Sequence, residues 1–483
     1  MSKLLPNLPI EDLTEENDYL GVIDKGEIIK AFLETNTEEF SQIKMFSLYG
    51  EWGSGKSTLM KYLQKELKGD FNTFFFEAWE FESDSNLSLS LLEFLTTESQ
   101  DSTEEALGEI VEIASKLFKG FSKSMRITFP GLSIDGSKII ETIEEEPEET
   151  FLQLKKKFKT EFIRWEDLIT KGKNPKYNIV FVDDLDRCEP ENVLNLLSAL
   201  KLFFTYGEKT IFFCGVDKKA VNEAVKTKYG EIVKANEYLE KIFDISFNMP
   251  EYDDLLKLVS QYFDNREIEI LGDKLNWSIS NFFYTIRFTN PRRVKKILNK
   301  YQVLRNLKSS KKLDSNHLSL IPDIIDKKNG NFFETIFTLY FLIAYDFRKE
   351  IFEDFFNIEL KKVIYKDLVN NPQNNGLVFD LDRDFLDAPL DSIVNNLNVR
   401  ANNLKAKTRL NLIRAFSPMQ PKYIGGSNTF FEPYNYIKSF LVDKKDIDYY
   451  FSLYLLENMD SLMISKLSDY YFNSYKMMIY KLL

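Results

Sequence analysis

The chain has almost no cysteine or histidine. Of 483 residues only Cys188 and Cys214 are cysteines and only His317 is a histidine. Two cysteines exclude a disulfide framework and a cysteine-rich zinc site. One histidine, in a polar stretch, excludes any chemistry that needs two imidazoles, and it reads as a bystander. Long hydrophobic runs are also missing. The most apolar stretch spans residues 336–345, against the roughly 20 residues a membrane-spanning helix requires, so no membrane span is expected. The opening residues MSKLLPNLPIEDLTEEND turn acidic at once and do not form a secretory signal. A net positive charge is absent too. With 75 Asp+Glu against 63 Lys+Arg the net charge is -12, which disfavours a broad nucleic-acid surface while leaving room for a local basic patch. These features together predict a soluble, cytoplasmic protein.

Core-forming residues are abundant. Hydrophobic residues make up 44% of the chain, including 42 Phe and 24 Tyr, which argues against disorder. The length calls for more than one core. Short, nearly continuous apolar runs at residues 43–49, 73–77, 178–182, 210–215 and 244–249 read as parallel strands buried on both faces. Helical patterns separate them. The expectation is therefore an α/β fold, a doubly wound parallel sheet of five core strands.

About a hundred residues separate Glu77 from Asn178, several times the length of one crossover helix. Helical patterns at 87–95, 104–118 and 151–169 mark an inserted helical subdomain over about residues 82–176. It also holds a short segment at 127–135 and a solvated acidic run at 144–149. The expected organisation is a nucleotide-binding core over residues 1–250, a helical lid over 251–310 and a mainly helical C-terminal domain over 311–483. Lid helices are expected at 254–263, 277–288 and 291–307. From residue 313 the pattern is less regular, with Asn370, Asn371, Asn374 and Asn375 in turns. Residues 437–483 look helical, and no motif assigns that region a role.

Two segments carry chemistry. Gly50-Glu51-Trp52-Gly53-Ser54-Gly55-Lys56-Ser57, followed by Thr58, is a complete G-x4-G-K-[ST] phosphate loop between a predicted strand and a predicted helix. Glycines let the backbone curl so that N–H groups face phosphate oxygens, and the helix amino end adds positive potential. Lys56 is expected to reach the β- and γ-phosphates and Ser57 to ligate Mg²⁺. The second segment, residues 179–187, is an apolar strand running into Asp183, Asp184, Asp186 and Arg187. There Asp183 would hold the Mg²⁺ shell and Asp184 would orient or deprotonate the attacking water. No Asn-Lys-x-Asp guanine-reading motif follows a late strand. The nearest approximation, Asp443-Lys-Lys-Asp446, sits between helices, so ATP is the expected nucleotide.

Six blocks in order carry a family resemblance: the phosphate loop, Glu77-Ala-Trp79-Glu, Asp183-Asp-Leu-Asp-Arg187-Cys188, Phe213-Cys-Gly-Val-Asp217, Tyr238-Leu-Glu-Lys241-Ile and Asn290-Pro-Arg292-Arg-Val-Lys-Lys. The string resembles the KAP family of P-loop NTPases over roughly residues 18–301. The resemblance implies an ATPase of the additional-strand type with an insertion between the phosphate loop and the acidic strand. Many relatives carry transmembrane helices there; this interval has no adequate apolar run. Similar bacterial members belong to mobile elements and anti-phage systems, which implies a nearby-encoded protein effector.

Other positions have weaker readings. Asn290-Pro291 forms a helix cap that would present Arg292 to the γ-phosphate; a surface basic helix is the alternative. Asp217 would sense the attacking water from just beyond the fourth strand, or merely close a turn. Arg187 and Lys241 could serve a neighbouring subunit's nucleotide in a homo-oligomer, or pair with Asp186 and Glu240. Trp52 and Trp79 are expected to pack between sheet and inserted helices rather than stack on a purine. The basic clusters 155–157 and 292–312 read as solvated faces. The leading expectation is an ATP-hydrolysing switch or motor for a partner effector in defence. Competing readings are a nucleic-acid-stimulated translocase working with a nuclease, and a non-hydrolysing assembly scaffold.

Overall fold

The computed structural model describes residues 4–84, 86–99, 104–124, 150–170, 177–229, 233–251, 255–263, 269–270, 273–310, 312–324, 332–355, 447, 450, 451, 454 and 469–483. The segment at 127–135, the acidic run at 144–149, the Asn-rich turns and Asp443–Asp446 lie outside them. The chain divides into two compact units, one formed by Leu8–Glu251 and the other by Met1–Asn7 with Tyr252–Leu483.

The first unit is built on a parallel sheet. Its strands are β1 (Met45–Tyr49), β2 (Phe71–Glu77), β3 (Tyr177–Asp183), β4 (Thr210–Val216) and β5 (Ile245–Asn248). Each coincides with one of the five apolar runs. Their order is β2-β3-β4-β1-β5, and every pairing is parallel. All of β1 and β4 is buried, as expected of central strands covered on both faces, whereas the edge strand β5 alternates between half-buried and exposed.

The helices are α1 (Val22–Thr35), α2 (Lys56–Glu66), α3 (Leu87–Glu98), α4 (Glu104–Ser124), α5 (Phe151–Thr170), α6 (Pro190–Leu202), α7 (Lys218–Tyr229) and α8 (Val233–Ile242). One sheet face carries phenylalanines that meet across strands. Phe75 stacks on Phe181 at 6.0 Å, Phe213 lies 5.6 Å from Phe181, and Phe46 stacks on Phe213 at 6.5 Å. Phe32 of α1 meets Phe46 and Phe247 edge-on.

The opposite face is covered in part by helices from the long interval. Leu91 and Leu95 of α3, Leu117 and Phe118 of α4 and Phe158 and Phe162 of α5 share a buried core with Phe74, Phe76, Val180 and Phe212 of the sheet. Asn86 caps α3 by accepting from the amides of Ser88 and Leu89. A buried carboxylate pins α5 to the sheet: Glu166, with no exposed surface, accepts from the amides of Glu208 at 2.6 Å and Lys209 at 3.0 Å, just before β4. Burial raises its pKa while those bonds oppose the rise. Lys44 donates to the Gly207 carbonyl beside it.

In the second unit, helices Leu275–Thr285 and Pro291–Ser309 lie where helical patterns were expected at 277–288 and 291–307. The pattern at 254–263 yields only a turn of helix, Leu256–Val259, and Asp254 lies outside the described residues. A further helix, Phe332–Phe347, lies in the region expected to be mainly helical though less regular in pattern. Its residues from Ile336 to Ala344 are apolar or hydroxylated on every side and, except Thr338, carry no polar face; Ile336, Tyr340, Phe341 and Ile343 have no exposed surface. A helix buried all round shows no amphipathic period. No helix among the described residues is long and apolar enough to cross a membrane.

Candidate functional site

Parallel pairing puts the carboxyl ends of all five strands on one edge, the side on which open α/β sheets bind ligands. Tyr49 lies opposite Val216 and Asn248, and Glu77 opposite Asp183. The phosphate loop after β1, the acidic turn after β3 and Asp217 after β4 are therefore neighbours.

The loop folds as its glycines allow. Gly53 and Gly55 have φ of 81° and 96°, left-handed values that side chains rarely tolerate. The Ser54 amide closes a turn onto the Glu51 carbonyl at 3.0 Å. No acceptor among the described residues meets the backbone N–H groups of Gly53, Gly55, Lys56 or Ser57. The start of α2 thus presents open donors together with the positive end of a helix dipole, which suits an anion.

Lys56 is buried, and its ammonium donates to the Gly50 carbonyl at 3.0 Å and the Glu51 carbonyl at 3.3 Å. It also pairs with Asp186 at 3.6 Å. Thr58 lies one step along α2, and its hydroxyl accepts from the Ile10 amide at 3.1 Å. Ionic contacts from Lys61 to Glu11 and from Lys65 to Asp12 hold the same preceding segment on α2.

Asp183 ends β3 with only 1% of its surface exposed. Burial drives its carboxyl above the usual range, against bonds from the Ser57 hydroxyl and the Asp184 amide and the nearby Lys56 charge. Its Oδ2 is buried without a hydrogen-bond partner among the described residues. A buried, half-satisfied carboxylate hydrogen-bonded to the phosphate-loop serine fits a hard divalent cation. Among the described residues no group of three or more His, Cys, Asp or Glu side chains could hold a metal. A cation at Ser57 and Asp183 would therefore rely on nucleotide oxygens and water for its remaining ligands.

Asp184 takes a left-handed backbone conformation with φ of 57°. Its carboxyl is pushed up to about 6, by burial first and the Asp183 charge second, with Arg187 opposing. Arg187 pairs with Asp184 at 3.0 Å and not with Asp186, correcting the pairing expected from sequence; Asp186 serves Lys56 instead. The two tryptophans also depart from expectation. Trp52 is 47% exposed and Trp79 52% exposed, so neither is packed beneath the inserted helices. The Arg187 guanidinium lies 5.2 Å from the centre of the Trp79 ring.

Asp217 spends both carboxylate oxygens on backbone amides, that of Trp52 at 2.9 Å and that of Lys219 at 2.9 Å. Lys219 reaches Glu51 in turn. Sequence reasoning missed these braces between β4 and the phosphate loop, because they join residues about 165 positions apart. Arg292 belongs to the second unit. There Asn290 caps its helix by accepting from the Arg293 amide at 3.2 Å, and Arg292 donates to the Asn7 carbonyl at 3.4 Å.

A parallel sheet with β4 between the phosphate-loop strand and the acidic strand, carrying this loop and this carboxylate pair at one edge, defines a P-loop NTPase of the additional-strand type. The chain belongs to the KAP family of these proteins: the KAP family P-loop domain matches residues 27–308, more than half of its length. Two uncharacterised proteins of Methanocaldococcus jannaschii are similar to it. One is 44% identical over 116 residues, covering 23% of this chain and 44% of the relative. The other is 32% identical over 172 residues, covering 29% of this chain and 88% of the relative. The chain thus spans less than half of the first relative. Among solved structures, the Aeropyrum pernix ORC2 protein in ADPNP–ADP complexes aligns over 99% of this chain and 98% of its own, at 10% identity and a TM-score of 0.32.

Proposed function

We propose that the chain binds ATP with Mg²⁺ at residues 50–58 and hydrolyses it. The observation that carries this reading is the meeting of open loop amides, buried Lys56 and buried Asp183, hydrogen-bonded to Ser57, at one sheet edge. The amides of Gly53, Gly55, Lys56 and Ser57 cradle the phosphates. Lys56 exchanges its carbonyl contacts for β- and γ-phosphate oxygens. Ser57 and Asp183 would hold the Mg²⁺, which neutralises phosphate charge when bound.

Asp184 acts as the base. It takes a proton from a water whose oxygen bonds to the γ-phosphorus. The bond from that phosphorus to the bridging oxygen breaks, and ADP departs with the electron pair. Positioning and charge stabilisation supply most of the acceleration. The lack of an Asn-Lys-x-Asp motif supports ATP over GTP.

Phosphate release and binding of a fluorescent ATP analogue test the assignment. Lys56→Ala loses both, whereas Asp184→Asn keeps binding and loses turnover by about a hundredfold or more. Equal hydrolysis in both variants refutes it.

The reading extends to a homo-oligomeric switch or motor for a protein effector. The family resemblance extends it further to anti-phage defence, and the cysteine-poor sequence to a cytoplasmic location. Size measurement with and without ATP tests assembly. Plaque counts on a host expressing wild type or Lys56→Ala test defence.

The basic residues of helix Pro291–Ser309 do not support the nucleic-acid alternative. Lys295 donates to the Pro6 carbonyl, Lys296 and Lys300 pair with Asp346, Arg305 bonds the Tyr262 carbonyl and Lys308 the Ile321 carbonyl. An ATPase rate unmoved by added DNA or RNA is the expected result.

A further inference from the structure

We propose that Arg187, seated on Trp79, is a positioning residue that holds Asp184 of its own subunit in the attitude needed for water activation. This rests on the hydrolytic reading of the site.

Asp184 needs such a holder. It sits at a positive φ, where a non-glycine residue is strained and stays only if its surroundings enforce it. Four contacts do so, the first being the Arg187 amide, which donates to the Asp184 carbonyl at 3.2 Å. The Asp184 amide donates to the Asp183 carboxylate, its carbonyl accepts from the Cys188 thiol at 3.6 Å, and its Oδ1 meets Arg187 Nη2 at 3.0 Å. Only the last reaches the carboxylate. An ion pair to one carboxylate oxygen fixes the direction in which the carboxylate faces.

Arg187 is itself secured from another strand. Trp79, in the short turn after β2, offers a ring face to the guanidinium at 5.2 Å. A planar guanidinium can stack and form a directed ion pair at once; an ammonium cannot do both. Three residues after Trp79, Glu82 grips the chain just past Arg187. Its Oε1 accepts from the Glu189 amide at 2.7 Å and from Asn192 Nδ2 at 3.1 Å. The turns after β2 and β3 thus form one assembly, and Glu77 and Asp183, paired in register at its base, set their separation. Arg187 makes these contacts inside one chain, so no neighbouring nucleotide is needed to explain its place.

Steady-state ATP turnover of the full chain, with melting temperature and fluorescent ADP affinity measured alongside, tests the proposal. Arg187→Ala should lower kcat about tenfold or more while ADP affinity stays within about twofold. Arg187→Lys should fall between. Trp79→Ala should lower kcat about three- to tenfold with Trp79→Phe intermediate, and the double alanine variant should be no slower than Arg187→Ala. Mixing Arg187→Ala with Lys56→Ala subunits should restore nothing. A kcat within twofold of wild type, additive losses, or recovered turnover in the mixture, the mark of a residue acting across subunits, overturns the proposal. Asp184→Asn separates the two claims. Loss there with normal Arg187→Ala sinks the brace and leaves the site standing; unchanged turnover in both, or none in wild type, sinks both.

Discussion

Gly50 offers a direct test of the phosphate loop, because the space around it is filled. A β-carbon placed on Gly50 would fall against Ser54 Oγ and within 2.7 Å of Met249 Cγ and 3.2 Å of its Cβ. Ser54 can rotate its hydroxyl away. Met249 is buried and its stem is anchored by a backbone bond to Tyr49 at 2.7 Å, so it cannot. In Gly50→Ala the loop must therefore lift.

Overpacking of this kind costs about 1–3 kcal/mol. The empty protein can relieve most of it by splaying an exposed loop, but nucleotide requires the loop closed. The penalty then appears in binding, as a Kd raised roughly 5- to 150-fold at about 1.4 kcal/mol per tenfold. The melting temperature should hardly move. Gly69→Ala is the matched control, since nothing lies within 4 Å of the added carbon there. Titration with fluorescent ATP reads the effect. A Gly50→Ala Kd within twofold of wild type would refute both the packing argument and the assignment of this loop to phosphate.

Two further outcomes follow from hydrogen bonds between distant segments. Asp217→Ala removes the acceptor for the Trp52 amide and should weaken nucleotide affinity about tenfold, the value of one charge-assisted bond, with Asp217→Asn between; equal affinity in all three by titration would show that the brace is idle. Asp244 accepts from the amides of Lys44 and Met45 at 3.0 Å each and pairs with Lys201. Burial raises its pKa, but Lys201 and those amides outweigh burial and hold it below the ordinary carboxylate range. A depressed folded pKa gives stability that is present above about pH 4 and lost as pH falls through the folded value. Asp244→Asn should therefore cost about 1–3 kcal/mol in urea unfolding at pH 7 and progressively less in acid. A loss that did not shrink on acidification would contradict that account.

Much of this protein was legible before any coordinates. The five strands could be read because central parallel strands must be apolar on both faces, which leaves short runs of Ile, Val and Phe in the chain. The phosphate loop could be read because left-handed turns and close backbone approach restrict its positions to glycine, and because one lysine and one hydroxyl must stand at the head of the following helix. Asp183 and Asp184 were recognisable as the end of such a strand. In each case the physical demand acts on neighbouring residues, so it is written in local order.

Tertiary structure decided what depends on distant residues. That Arg187 serves Asp184 while Asp186 serves Lys56 follows from how the turn after β3 meets α2 and the turn after β2. Trp79 and Trp52 are exposed, and Asp217 braces an amide, because the parallel register aligns three strand ends from separate parts of the chain. The helix Phe332–Phe347 falls in the region expected to be mainly helical, but its bounds were not legible: its middle, from Ile336 to Ala344, is apolar with little period to read, and its buried surroundings decide its extent.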